Sequence, residues 1–137
     1  MKKLFLVAIT SMALFASSCK KSCPEPAAPP PDLGGTTWTG TANVPGLSLA
    51  NKAWVLNFNA DGTLGGSFTN GSSFAVNGTW NLTPNSTTVK IFFTLATVSG
   101  SYVGQAILTT NNTKLESGVA TNATMPSANL NFTCTKS

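Results

Sequence analysis

The chain offers few side chains that could carry out acid–base or nucleophilic chemistry. It has no histidine, and all eight of its basic residues are lysines. An ordinary general base near neutral pH is therefore missing, as is a Ser-His or Cys-His nucleophile. Asp61 and Glu116 could in principle form a carboxylate pair for glycoside hydrolysis. However, an Asp-Gly hairpin turn explains Asp61, and Glu116 begins a predicted strand beside a turn. We predict that the protein is not an enzyme.

The sequence contains one partial match to a metal-binding motif. Residues 57–62 place oxygen-bearing side chains at alternate positions before Gly62, as in the first half of a calcium-binding loop. Such a loop needs a bidentate acid at its twelfth position, which here is Phe68. The segment is better explained as a hairpin turn, and we predict neither a metal site nor a cofactor.

The start of the chain has the pattern of a secretory signal. Lys2 and Lys3 precede an apolar run, and three small residues, 16–18, precede Cys19. The apolar run is shorter than the roughly 20 residues of a membrane span. A cysteine directly after small residues resembles the lipobox of bacterial lipoproteins, which implies cleavage before Cys19 and acylation of that cysteine. We predict a signal peptide over residues 1–18; an ordinary signal with an incidental cysteine is the alternative.

Residues 19–33 are predicted to form a lipidated N-terminus followed by a stalk. Five prolines between positions 24 and 31 exclude a helix and favour an extended polyproline II chain. Multiple acylation would anchor the protein stably to a membrane. Lys20 after the lipidated cysteine resembles no inner-membrane retention signal, so we predict an outer-membrane location. No acidic run follows that resembles a surface-export signal, which favours the periplasmic face, with surface exposure left open.

Residues 34–137 are long enough for one domain with one core. This region carries only four lysines, against Asp61 and Glu116, so it lacks the clustered positive charge that nucleic-acid binding requires. Export would place the cysteines in an oxidising compartment. With Cys19 lipidated, a disulfide between Cys23 and Cys134 is possible. A free Cys23 and a buried Cys134 are the alternative.

Apolar residues alternate with polar ones along most of this region, which indicates half-buried strands. Turn residues divide the pattern into eight predicted strands, near residues 35–42, 53–59, 63–69, 74–82, 87–96, 101–109, 114–121 and 128–136. Short connections favour an all-β, eight-stranded antiparallel up-and-down barrel. An immunoglobulin-like β-sandwich is the alternative. The longest gap between predicted strands lies at residues 43–52.

The domain resembles the lipocalin-like domains of small bacterial lipoproteins. The resemblance rests on three short motifs: Gly35-Thr36-Thr37-Trp38, Phe58-Asn59-Ala60-Asp61-Gly62-Thr63 and Gly78-Thr79-Trp80. It implies a barrel that binds a small apolar or amphipathic ligand, with Trp54, Phe74 and Tyr102 as the predicted pocket wall. Small inner-face residues such as Gly66 and Gly78 would leave room for it.

A different function is also compatible with the sequence. Six aromatic residues are predicted to point inward, and this volume favours a filled core: Trp38, Trp54, Phe58, Phe74, Trp80 and Phe93. A filled barrel would serve as a protein-interaction module, either a periplasmic inhibitor or an envelope scaffold. An exposed aromatic patch at one rim would favour this alternative, and Phe92, predicted to face outward, hints at one.

Overall fold

A computed structural model describes residues 32–96, 98–109 and 111–137 of the chain. The predicted signal peptide, Cys19, Cys23 and most of the stalk lie outside these residues. The described residues form a closed antiparallel barrel in which every strand pairs with its neighbours in sequence and β1 pairs with β8. The strands are β1 (Thr36–Val44), β2 (Leu49–Phe58), β3 (Thr63–Asn70), β4 (Ser72–Leu82), β5 (Thr88–Leu95), β6 (Val98–Leu108), β7 (Lys114–Asn122) and β8 (Leu130–Lys136). The predicted up-and-down barrel is confirmed, and the sandwich alternative is excluded.

The alternation in sequence becomes the inner and outer faces of the barrel wall. In β5, Val89, Ile91 and Phe93 are buried, whereas Lys90 and Phe92 between them are exposed. Four of the six aromatic residues predicted to point inward are fully buried, and the other two, Phe74 and Trp80, are partly buried against the same core. One hydrophobic core therefore fills the middle of the barrel.

The two ends of the barrel are closed differently. At the end where the chain enters, Leu33 is only 2% exposed and belongs to the core, one residue before the predicted domain boundary. We call this the proximal end. At the distal end, a 3₁₀ turn at Pro45–Leu47 packs against a second one at Pro126–Ala128. A side chain on Gly46 would overlap the backbone of Ser127, so the two turns are in close contact.

Asn122 is the buried polar residue that ties the distal end together. Its side-chain nitrogen donates to the carbonyl oxygen of Ser99 at 3.2 Å. Its Oδ1 atom accepts from the backbone N–H groups of Thr124 at 2.9 Å and Met125 at 2.8 Å. A buried polar group is stable when its hydrogen-bonding capacity is used in this way. Asn122 thus joins the start of β6 to the turn between β7 and β8.

The predicted strand boundaries differ most from the structure at two places. The gap predicted at residues 43–52 is mostly strand, because β1 continues to Val44 and β2 begins at Leu49. The sixth strand was predicted to begin near residue 101, but β6 begins at Val98 and contains Gly100, which has a φ of 92° where the pairing with β5 shifts register. A bulge of this kind uses the same small residues as a turn, which explains the error. No helix among the described residues is long and apolar enough to cross a membrane.

Candidate functional site

The three residues predicted to line a pocket belong to a packed aromatic cluster. Trp54 is fully buried, and its ring centroid lies 5.9 Å from that of Phe68, 5.6 Å from that of Phe93 and 5.9 Å from that of Phe132. These neighbours come from β3, β5 and β8, so the indole spans the barrel interior. Such contacts add to the free energy gained by burying the rings. Trp54 acts as a packing centre between strands far apart in sequence.

Tyr102 and Phe74 join this cluster from opposite sides. Tyr102 stacks on Phe93 with a centroid distance of 4.8 Å and an interplanar angle of 3°. Burial raises the pKa of the Tyr102 hydroxyl, and a hydrogen bond with Asn122 partly offsets the effect. Phe74 is partly buried and pairs in register with Phe68, which in turn pairs with Trp54. The structure therefore brings the predicted residues together through Phe68 and Phe93.

The small residues of the inner face lie in close contact with neighbouring strands. A side chain on Gly66 would overlap the carbonyl oxygen of Val55, and one on Gly78 would overlap that of Phe92. A side chain on Gly104 would lie 2.7 Å from the Cβ atom of Ala120. These glycines permit close approach of neighbouring strands.

The three tryptophans differ in the hydrogen bonding of their indole nitrogens. Trp38 Nε1 donates to Thr36 Oγ1 at 2.8 Å, and Trp80 Nε1 donates to the carbonyl oxygen of Asn59 at 3.0 Å. Trp54 Nε1 is buried without an acceptor among the described residues. An unpaired buried N–H costs about 1–3 kcal/mol. Among the described residues, this nitrogen is therefore an unused donor within the aromatic cluster.

The two candidate carboxylates lie on separate parts of the wall. Asp61 is in the β2–β3 turn, where its Oδ1 atom accepts from the hydroxyl of Thr63 at 2.6 Å and the N–H of Thr63 at 2.9 Å. These bonds lower the pKa of Asp61. Glu116 is exposed on β7, four strands away from β3. The described residues contain no group of three or more histidine, cysteine, aspartate or glutamate side chains placed to hold a metal ion.

Cys134 faces the core from β8. It is 3% exposed, and burial raises the pKa of its thiol to about 12. Its predicted disulfide partner, Cys23, lies outside the described residues, as does the predicted lipidation site Cys19. The disulfide and the lipidation both remain predictions.

Exposed apolar side chains concentrate on one outer surface. Six large hydrophobic residues of the described chain are notably exposed, and four of them share the outside of β5, β6 and β7: Phe92 (47%), Val103 (58%), Ile107 (41%) and Val119 (43%). We call this surface the β5–β7 face. It lies on the side wall of the barrel, whereas the sequence suggested a patch at the rim. Such grouping sets it apart from singly scattered surface hydrophobics, which are common.

The β5–β7 face borders an open depression of about 450 Å³. Its lining extends from Thr79 on β4 to Thr121 on β7. Lys90 on β5 and Glu116 on β7 flank the apolar residues on either side of β6, and both are exposed. The face thus combines an apolar centre with one charge of each sign, a composition typical of protein-binding surfaces.

Of these four residues, only Phe92 was predicted from the sequence to face outward. Alternation placed Phe92 outward because Ile91 and Phe93 flank it. Val103 and Ile107 were missed because apolar residues occupy both faces of β6, so its periodicity is weak. The inward positions of β6, which include Tyr102 and Ala106, were the signal from which the outward positions could have been identified.

Comparison with protein-family models, with curated proteins and with solved structures finds no match to this chain.

Proposed function

We propose that this protein is a lipid-anchored lipoprotein of the bacterial outer membrane whose barrel works as a non-enzymatic protein-interaction module. The β5–β7 face carries the proposal, since it gathers four exposed apolar side chains on three adjacent strands. Apolar patches of this kind on a protein surface mark interaction sites. The N-terminal signal pattern and Cys19 support the anchoring, and the absence of histidine from the sequence supports a role without catalysis.

The packed interior supports this function over ligand binding. Trp54, Phe93 and Tyr102 already fill the central level of the barrel with ring-to-ring contacts. A barrel filled by its own side chains is a rigid support. A rigid surface loses little conformational entropy when a partner binds, which favours affinity. The outer wall is then the part of the domain available for recognition.

Site-specific photocrosslinking in intact cells tests the proposal. A photoreactive phenylalanine analogue replaces Val103 on the β5–β7 face or, as the control, Thr41, an exposed residue of β1 on another part of the wall. We expect ultraviolet light to produce a protein adduct from position 103 and none from position 41. Equal adducts from both positions, or none from either, would exclude the face as an interface.

Binding of a small apolar or amphipathic ligand is the second candidate, favoured by the unpaired Nε1–H of Trp54. A ligand with an acceptor atom beside this nitrogen would remove the cost of the unsatisfied donor. Native mass spectrometry of the periplasmically expressed protein would detect a co-purifying molecule. A molecule retained by the wild type and lost from Trp54→Phe would support this candidate. A clean protein mass after exposure to fatty acids would count against it.

A further inference from the structure

We infer that the partner of the β5–β7 face is a second copy of this chain, packed face to face about a two-fold axis that runs along β6. The inference rests on the proposed function and deepens it by naming the partner. Its basis is the arrangement of outward side chains in three cross-strand rows, which are self-complementary when the face is turned onto itself.

Each row crosses β5, β6 and β7 in register and has its β6 residue at the centre. The first row is Phe92, Val103 and Thr121; the second is Lys90, Gln105 and Val119; the third is Thr88, Ile107 and Glu116. On β5 and β6 adjacent rows are separated by two residues and are therefore about 7 Å apart. A bulge in β7 accommodates the three residues from Glu116 to Val119. The centre of the face is therefore formed by three residues of β6: apolar Val103, the amide Gln105 and apolar Ile107.

A two-fold axis along β6 places β5 of one copy opposite β7 of the other and leaves each row facing itself. In the first row, Phe92 then covers Thr121 of the partner copy while Val103 meets its equivalent. In the second row the Gln105 amides meet, and an amide can both donate to and accept from its equivalent. In the third row Ile107 meets its equivalent and Thr88 faces Glu116 of the partner copy, so all three rows find compatible contacts.

The charged residues fit the same arrangement. Lys90 faces Val119 of the partner copy, one row away from Glu116 of that copy. Packed sheets are about 10 Å apart, and a lysine side chain can lay its methylenes on Val119 and reach the carboxylate with its ammonium group. The symmetry forms this Lys90–Glu116 pair twice. A carboxylate and an ammonium group at such positions favour one relative orientation of the two copies.

The other simple face-to-face arrangement is disfavoured. An axis perpendicular to the strands through the second row would place Lys90 opposite Lys90 of the partner copy. It would also place Phe92 opposite Thr88, without pairing the lysine with Glu116. Like charges in direct apposition are destabilising. The charges therefore select the axis along β6.

The area of the face predicts a weak dimer. Three rows on three strands cover about 300 Å² of the barrel wall, from strand spacings of about 4.8 Å and row spacings of about 7 Å. Stable interfaces bury about 800 Å² on each partner, so this contact belongs with the transient ones. Anchoring both copies in one membrane raises their effective concentration, which makes a weak contact sufficient. We expect the dimer to form at the membrane surface and to dissociate in dilute solution.

Energy transfer between lipidated proteins in vesicles tests the inference. The full mature chain carries Cys23→Ser and a cysteine added after Ser137, labelled with donor or acceptor dye. Lys90→Glu and Glu116→Lys are each expected to lower the association constant about tenfold, because symmetry turns two attractive pairs into two repulsive ones. The double variant restores both pairs and should return to within about threefold of wild type. Val103→Glu should abolish association.

Matched controls separate this contact from changes in net charge or folding. Lys52→Glu on β2 makes the same charge change as Lys90→Glu on another part of the wall and should leave energy transfer unchanged. Circular dichroism should be that of wild type for every variant. Failure of the double variant to recover, or equal losses in Lys90→Glu and Lys52→Glu, would overturn the dimer. A photocrosslinked adduct at position 103 that contains a different protein would also overturn it, while leaving the interaction module standing.

Discussion

At some glycines of this barrel, the neighbouring strand lies too close for any side chain to fit. Gly78 of β4 lies against β5 so closely that any side chain would overlap the carbonyl oxygen of Phe92. Gly65 of β3 is different, because the nearest atom to a side chain there would be Cβ of Asn57 at 4.0 Å. A comparison of substitutions at these two positions therefore distinguishes the effect of close strand packing from the general cost of having glycine in a strand.

Gly78→Ala is therefore expected to destabilise the fold by about 3 kcal/mol or more, since the backbone of β5 must move. Gly65→Ala should change stability by less than about 1 kcal/mol, and the lower backbone entropy of the unfolded chain favours a gain. Urea denaturation followed by tryptophan fluorescence measures both. Similar midpoints for the two variants would show that β4 and β5 can separate without cost.

The Cys134 thiol provides a pH-dependent test of core packing. Its folded pKa of about 12 lies above the ordinary value of 9.0. Between these values the folded state keeps the proton and the unfolded state loses it, so the stability that the protonated thiol provides is lost as pH rises. In a Cys23→Ser background, stability should fall between pH 9 and 12 more steeply than in Cys23→Ser/Cys134→Ala. Equal slopes in urea titrations across this range would mean that the thiol is solvated.

At the scale of elements, the limits of a strand could be predicted where its two faces differ in polarity. In β5 and β8 they do, and the predicted strands agree closely with those observed. In β6, apolar residues on both faces and a bulge at Gly100 obscured the start of the strand. The ends of β1 and β2 extend beyond their sequence signal because pairing with each other satisfies their backbone groups.

The β5–β7 face could be predicted only in part for the same reason. Alternation identified Phe92 because its neighbours are clearly inward. Assembling it with Val103 and Val119 required the order and register of three strands, which depend on turn geometry and on a bulge in β7 near Ser117. A bulge changes which residues share a face, and a single sequence rarely reveals its position.

Asn122 should prove more important to the distal end than any exposed asparagine. Asn122→Ala removes one donor and one acceptor, leaving the carbonyl of Ser99 and the N–H groups of Thr124 and Met125 without their partner. We expect a loss of about 2–4 kcal/mol. Asn131→Ala, on the outer face of β8, should cost less than about 0.5 kcal/mol. Amide hydrogen exchange at residues 99–101 and 124–129 should accelerate only in Asn122→Ala.

At the scale of the whole molecule, closure of the sheet makes β8 indispensable. It pairs with both β1 and β7 and contributes Leu130, Phe132 and Cys134 to the core. A chain that ends at Asn129 should lack cooperative unfolding and should bind hydrophobic dyes, because two neighbouring strands are left with open edges. A chain lacking only Lys136 and Ser137 should still unfold cooperatively in a thermal scan. A cooperative transition in the shorter chain would refute this account of closure.

The pairing of the first strand with the last also has a temporal consequence. The hydroxyl of Ser137 donates to that of Thr39 across 98 positions of sequence. The barrel cannot be completed until nearly the whole chain is free to fold, and pairings of such long range form slowly. For a chain exported as its N-terminus predicts, β1 emerges first and must wait, unpaired on one side, for β8 to follow. During this interval, which includes both the passage of β2 to β8 and the slow pairing that follows, one edge of β1 stays open to other strands.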